Sequence, residues 1–317
     1  MLSFNKAFLL ILVVLCTVSC SFFKSSWSKL NVFPVSQDIE LGNQVAAEIA
    51  SNPADFPLLP VSGNENVYNY LNDIVKKILA TNLVDYARDF KWEVKIINDP
   101  KTLNAFCTPG GHIYVYTGLM SFLDSEDQLA GVLGHEIAHA ANRHSTQQLT
   151  KSLGVQILLD AALGKKEVIK QVTGTLAALS FSRANETQAD SFSVLYLCPT
   201  NWNANGASGF FKKMQGQPTP PQWLSTHPSP TNRIKNIDEK KNEHQCKGKE
   251  SNSSVYQNIK ALIAKITPPP PKTTSGANTN NAPALPKTNT PTPDKSNEKP
   301  APAGTGPMAP KKVLKKG

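Results

Sequence analysis

The sequence predicts a mainly α-helical fold with one small β-sheet, an α+β arrangement, and three observations carry that prediction. Apolar residues recur at helical spacing through most of the chain, as in Val67, Leu71, Ile74, Val75 and Ile78. Alternating β-branched and aromatic runs are confined to Phe90–Ile97 and His112–Thr117. The last stretch, 267–317, holds twelve Pro among Thr, Asn, Ala and Lys, a composition that cannot bury enough surface to fold. The organisation expected is a lipoprotein-type signal peptide over 1–19, a linker from a lipid anchor over 20–35, a folded domain over 36–266 and a disordered tail over 267–317.

Lys6 gives the N-terminus a positive charge, and Ala7–Val18 is an apolar run of 12 residues. That is too short to span a bilayer as a helix but suits the hydrophobic part of an export signal. It ends in Thr17-Val18-Ser19-Cys20, which resembles a bacterial lipobox, although Thr17 stands where Leu is usual. Cys20 is the expected lipidation site; an ordinary signal peptide or an uncleaved anchor is the alternative. Ser21, in place of an Asp, points to the periplasmic face of the outer membrane. In that oxidising compartment Cys198 and Cys246, both in loop-like sequence, are a candidate disulfide. Cys107, beside Phe106, reads as a buried small hydrophobe.

Along the folded part, Ser36–Ala50 reads as a helix capped by Ser36, and Asn64–Thr81 as a second. Phe90–Ile97 reads as a strand. Pro109-Gly110-Gly111 is a turn, and His112–Thr117 after it forms a hairpin with the segment before. That polar, Gly-bounded strand is either a shelf to which an extended peptide adds or a simple structural hairpin. Ser145–Leu163 and Glu167–Phe181 read as helices that pack on the core, form an apolar lid or lie on lipid. Helices follow at Arg183–Leu197, Ala207–Met214, Pro230–His244 and Ser254–Ile266.

The net charge of +9 suggests nucleic acid at first sight, but in the tail eight Lys stand against Asp294 and Glu298, a surplus of six. With no nucleic-acid motif in the folded part, nucleic acid is not an expected partner.

The chemistry concentrates in Leu129–His144, L-A-G-V-L-G-H-E-I-A-H-A-A-N-R-H. Residues four apart on a helix nearly eclipse, so His135 and His139 aim two imidazoles at one point and can share a metal ion. Glu136 projects about 100° away, beside the metal, where it can accept a proton from bound water. Ser125 is the expected N-cap, with Gln128 completing a capping box. A third histidine would follow H-E-x-x-H-x-x-G-x-x-H, but Asn142 and Ser145 stand where Gly and His are required. His144, about 140° around the helix from His139, is expected to point away. Glu186 and Asp190, an E-x-x-x-D pair on one helical face, are then the best candidates. Glu186, with the longer reach, suits ligation, and Asp190 suits accepting the N–H of a ligating histidine. A solvated acidic helix start is the alternative.

H-E-I-A-H, N-E-T-Q-A-D, the upstream N-A-F-C-T-P-G-G and the later T-H-P-S-P-T-N-R-I together resemble one zinc peptidase family. It includes the HtpX membrane proteases, the CAAX prenyl protease and the periplasmic proteins BepA and LoiP. The resemblance spans roughly Ser36 to Glu243. It implies a gluzincin-like zinc metallopeptidase domain with one Zn2+ held by His135, His139 and Glu186, Glu136 as general base, and Asp190 behind the ligands. It also places His227 and Arg233 on the zinc side, to stabilise an oxyanion, with His227 a candidate plug of the open position at rest. The several membrane spans of HtpX and the helical repeats of BepA have no counterpart here, so the LoiP-like lipoproteins are the nearer analogy. The expected activity is a zinc metalloendopeptidase acting on misfolded or stalled envelope proteins. A chaperone-like or scaffold lipoprotein with little proteolysis, or a cell-wall binder using the basic tail, are the other readings.

Overall fold

The computed structural model describes residues 33–215, 222–229 and 232–270. Cys20, the signal and linker up to residue 32, Pro230 and the tail from residue 271 lie outside the described residues. The chain begins with α1 (Val35–Ser51) and α2 (Glu65–Leu79), then strands β1 (Val94–Ile97), β2 (Ala105–Cys107) and β3 (Ile113–Tyr116). A short α3 (Thr117–Phe122) leads to the H-E-x-x-H helix, α4 (Glu126–Ala141). There follow α5 (His144–Leu153), α6 (Val155–Ala162), α7 (Lys166–Ala177) and α8 (Arg183–Leu197). The last elements are α9 (Gly206–Gln215), α10 (Trp223–Thr226), α11 (Arg233–Glu243) and α12 (Ser253–Ile263). Among the described residues no helix is long and apolar enough to cross a membrane.

The sheet order is β1-β3-β2, with β1 parallel to β3 and β2 antiparallel to it. The β2–β3 hairpin turns through Pro109–Gly111, where Gly110 and Gly111 take φ of 73° and 88°, values that favour glycine. Strand β3 is the central one, so both of its edges are already paired, and it offers no shelf for an added peptide strand. It is also not polar. Ile113 and Val115 face one apolar cluster while Tyr114 and Tyr116 face another, so alternation along the strand buries both faces. At the two outer edges, the Leu59 N–H donates to Ile96 O on β1 at 2.8 Å, and Cys107 O on β2 accepts from Ser145 Oγ at 3.2 Å. The simple structural hairpin is the arrangement found.

The larger cluster joins the inner faces of α2, α4, α8, α9 and α12 to one side of the sheet. The second packs α1 with α5, α6 and α7 against the other side. The apolar α6–α7 segment thus buries Leu158, Ala161, Val172 and Leu176 in the protein, as core packing requires. Helix α4 is the centre of the larger cluster and approaches its neighbours closely. A Cβ on Gly131 would sit 2.5 Å from the Ala207 backbone nitrogen, and one on Gly134 would sit 2.9 Å from Ser193 Oγ. Ser193 Oγ in turn donates to Gly131 O at 2.7 Å, tying α8 to α4.

Several local expectations need correction. The N-cap of α1 is Pro34, with Ser36 inside the first turn. Strand β1 starts at Val94, because Trp92 adopts a left-handed φ of 45°. Ser125 does stand at the N-cap of α4, but its hydroxyl donates to Asp127 Oδ1. Gln128 Oε1 accepts from the Asp124 N–H at 3.0 Å, so no capping box closes. The Ser145–Leu163 stretch is two helices, interrupted at Gly154 with φ 87°.

Candidate active site

Helix α4 presents His135, Glu136 and His139, and α8 presents Glu186 and Asp190 from its first two turns. Ser182 starts α8 by accepting the Asn185 N–H at 3.1 Å on its side chain. His227 arrives from the C-terminal end of α10 and Arg233 from the first residue of α11. All seven residues are buried, none more than 5% exposed.

The donor atoms converge. His135 Nε2 and His139 Nε2 are 3.0 Å apart, and Glu186 lies 3.5 Å from the first and 3.3 Å from the second. His227 Nδ1 completes the figure, 3.4 Å from His135 Nε2 and 3.1 Å from Glu186 Oε1. Four ligands about 2.1 Å from one ion at tetrahedral angles are about 3.4 Å from each other. His135, His139, Glu186 and His227 together are therefore of the size to hold a metal ion, all within 4.8 Å of one another. The donor chemistry agrees. His135 Nδ1 lies 2.9 Å from Asp190 Oδ1 and donates to it, which leaves Nε2, turned inward, as the atom from which a metal ion would displace a proton. Buried lone pairs gathered around one point want a cation.

Glu136 stands beside this group, with Oε1 3.6 Å from His227 Nε2; neither atom has a hydrogen-bond partner. Burial pushes its carboxyl up to about 8, against the favourable charges of His135 and Arg233. Glu186 goes the other way. Burial works against its charge, but His227, His135 and His139 hold it well below the usual carboxylate range. His135 is raised to about 9, because Asp190 and Glu186 outweigh the burial that opposes charge. Burial lowers His139 and His227.

The predicted residues are thus brought together, with two refinements. Arg233 Nη2 reaches Asp190 Oδ1 at 2.7 Å and Glu186 Oε2 at 3.0 Å, and its guanidinium lies 3.8 Å over the Phe211 ring. In this arrangement it braces the carboxylates. His227 is the residue at the fourth corner. His144 was expected to point away, but α4 ends at Ala141 and Arg143 takes a left-handed φ of 57°. The chain reverses there, and His144 Nδ1 comes within 3.0 Å of His139 Nδ1. Burial lowers His144 to about 4.

Two aromatic residues were missed. Trp223 stacks on His227 at 4.1 Å between ring centroids, and Phe181 on His139 at 4.0 Å. Backbone bonds seat the segment: the Phe181 N–H donates to Thr226 O at 3.1 Å and the Trp223 N–H to Leu103 O at 3.2 Å. For Trp223 the signal was available, four residues before His227 and so on its side of a helical turn. Phe181 left none, since its contact depends on the tertiary fold. A disulfide joins Cys198, at the end of α8, to Cys246, beyond α11; Cys107 is free and buried.

A mostly helical fold with a small sheet, carrying this buried group across two helices, is that of a gluzincin-like metallopeptidase. Within that class the assignment is narrower: Peptidase family M48 matches residues 66–241, more than half of the chain, and the chain belongs to it. It is similar to the mitochondrial metalloendopeptidase OMA1 of Schizosaccharomyces pombe, 34% identical over 186 residues, 56% of this chain and 54% of that protein. It is 29% identical to the human mitochondrial metalloendopeptidase OMA1 over 190 residues, 52% of this chain and 36% of that one. The beta-barrel assembly-enhancing protease of Escherichia coli is 25% identical over 242 residues, 70% of this chain and 47% of the relative. The chain thus spans about half, or less, of these relatives' lengths.

Proposed function

We propose that this chain is a zinc-dependent metalloendopeptidase of the bacterial cell envelope, acting on misfolded or stalled envelope proteins. The observation that carries the catalytic reading is the buried convergence of His135, His139 and Glu186 with Glu136 beside them and partnerless at Oε1. In this reading those three hold the ion, Asp190 fixes His135, and Arg233 holds the Asp190 and Glu186 carboxylates in place.

When bound, zinc would lower the pKa of water to about 7 and polarise the peptide carbonyl. Glu136 takes the proton from the attacking water at its carboxylate and passes it to the leaving amine. A carboxyl lifted towards neutrality is suited to both halves of that transfer, because it accepts and releases a proton near the working pH. His227, seated at the fourth corner, must withdraw before substrate enters, and from nearby it can donate to the developing oxyanion. Lipidation at Cys20 would hold the enzyme on the outer membrane with its domain in the periplasm. The Escherichia coli relative's name, which speaks of β-barrel assembly, supports the envelope reading; the OMA1 relatives are mitochondrial by name.

The Glu136→Gln variant tests the mechanism. Zinc content should stay at the wild-type level while casein cleavage falls by about 10²–10⁴-fold. Unchanged cleavage would sink the reading. His227 at the fourth corner also favours a second reading, in which the protein holds outer-membrane clients as a chaperone-like lipoprotein and seldom cuts. Casein protected by wild type and Glu136→Gln alike, with no cleavage by either, would favour it.

A further inference from the structure

One group of polar side chains lies behind the site without a part in the reaction described. Asn142, Gln188 and His144 come from the end of α4, from α8 and from the start of α5, and they form a chain of hydrogen bonds ending on His139. We propose that His144, Gln188 and Asn142 are positioning residues that fix His139 in the tautomer whose Nε2 is a bare lone pair. The inference rests on the reading of His139 as a metal ligand.

The direction of every bond in the chain is forced from one end. Ala138 O can only accept, so the Asn142 side chain, 2.8 Å away, must present its NH2 group there. That orientation leaves Asn142 Oδ1 to accept, and Gln188 Nε2 donates to it at 3.1 Å. With its NH2 turned to Asn142, Gln188 offers Oε1 to His144 Nε2, at 3.1 Å. His144 Nε2 must therefore carry the hydrogen. A neutral imidazole has only one, so His144 Nδ1 is a lone pair. It faces His139 Nδ1 at 3.0 Å, which must then be the N–H partner. His139 Nε2 is left bare, 3.0 Å from His135 Nε2 and 3.3 Å from Glu186.

Both histidines of the H-E-x-x-H pair are thereby set alike by different means. A carboxylate, Asp190, orients His135, and a neutral chain anchored on a backbone carbonyl orients His139. The neutral chain adds no charge near Glu136. It also spans three elements, so the reversal at Arg143 is what brings its last member into place. Arg143 is fastened in turn: its side chain donates to Asp38 and to Phe33 O, and Thr146 Oγ1 donates to Asp38 Oδ1 at 2.8 Å.

The test compares wild type with His144→Phe, His144→Asn, Gln188→Ala and His139→Ala in the full chain. Zinc affinity is read by chelator competition, and the tautomer of His139 by 15N NMR of the imidazoles in the metal-free protein. His144→Phe keeps a ring but removes the acceptor. It should weaken zinc binding about 10–100-fold and move His139 towards the Nε2–H form. His144→Asn, which puts an amide oxygen where Nδ1 was, should restore most of both. Gln188→Ala, at an exposed side chain, should shift the tautomer in the same direction, and it decides the matter if His144→Phe fails to fold. An unchanged His139 tautomer in the folded variants overturns the inference even if zinc affinity drops, because lost packing alone could lower affinity. Unchanged zinc binding in His139→Ala would instead overturn the ligand reading, and the tautomer measurement would still judge the relay.

Discussion

Glu186 and Asp190 sit four residues apart on one helix, yet their surroundings separate their tasks. Glu186 is wrapped by three imidazoles and held charged, while Asp190 touches His135 from behind and pairs with Arg233. Glu186→Ala should therefore lose metal below detection, whereas Asp190→Ala should weaken zinc about 10–100-fold, read by metal analysis after dialysis. The opposite order would mean that the two roles are exchanged. This pairing was legible in the sequence because four-residue spacing on a helix is local geometry, as it was for His135 and His139. His144 was not legible. Its position depends on a left-handed residue at Arg143, which is secured by Asp38 more than a hundred residues earlier, and no local pattern carries that information.

Apart from the break at Gly154 and the short α3 and α10, which periodicity did not reveal, helix boundaries followed apolar periodicity to within a few residues. The sheet was harder, because its order, β1-β3-β2, places the last strand in sequence at the centre. A parallel partner arriving from Val94–Ile97 is a long-range choice that alternation alone does not encode. The closeness of α4 to α9 is testable at Gly131. Gly131→Ala puts a methyl into the Ala207 backbone and should cost about 1–3 kcal/mol in urea unfolding, since backbone cannot move aside as a flexible side chain can. At the hairpin, His112 is buried between α1 and β1, 3.3 Å from Asn43 Oδ1 and 3.5 Å from Glu93. Burial lowers its pKa, against the pull of Glu93, while the nearby Lys91 and Lys95 lower it further. The unfolded chain then binds a proton below about pH 6.5 that the folded chain refuses, so stability is full above that pH and falls as the pH drops. Between about pH 7.5 and 5, His112→Gln should lose less of its urea midpoint than wild type does. Equal losses would show that His112 does not contribute to the slope.

For the molecule as a whole, the Cys198–Cys246 bond closes a loop of 48 residues between the ends of α8 and α11. On the chain-entropy account that is worth about 4 kcal/mol, so the double Ser variant should unfold at clearly lower urea concentration. Truncation should spare catalysis if it is placed after Pro271. Thr267 is part of the folded unit, since its carbonyl accepts from Asn98 Nδ2 at 2.8 Å, and removing it would disturb the end of β1. Casein cleavage by the truncated chain should equal that of wild type; a loss would assign the Lys- and Pro-rich tail a part in catalysis. The same sulfur link has a consequence for wear. The peptidase proposed above would be exposed to its own activity, and His227 and Arg233 both lie between the two bridged cysteines. A single break in the chain anywhere in that interval leaves two fragments still covalently attached. The damaged molecule would run as one band until a reductant is added, and both residues would stay tethered to the core that carries Glu136.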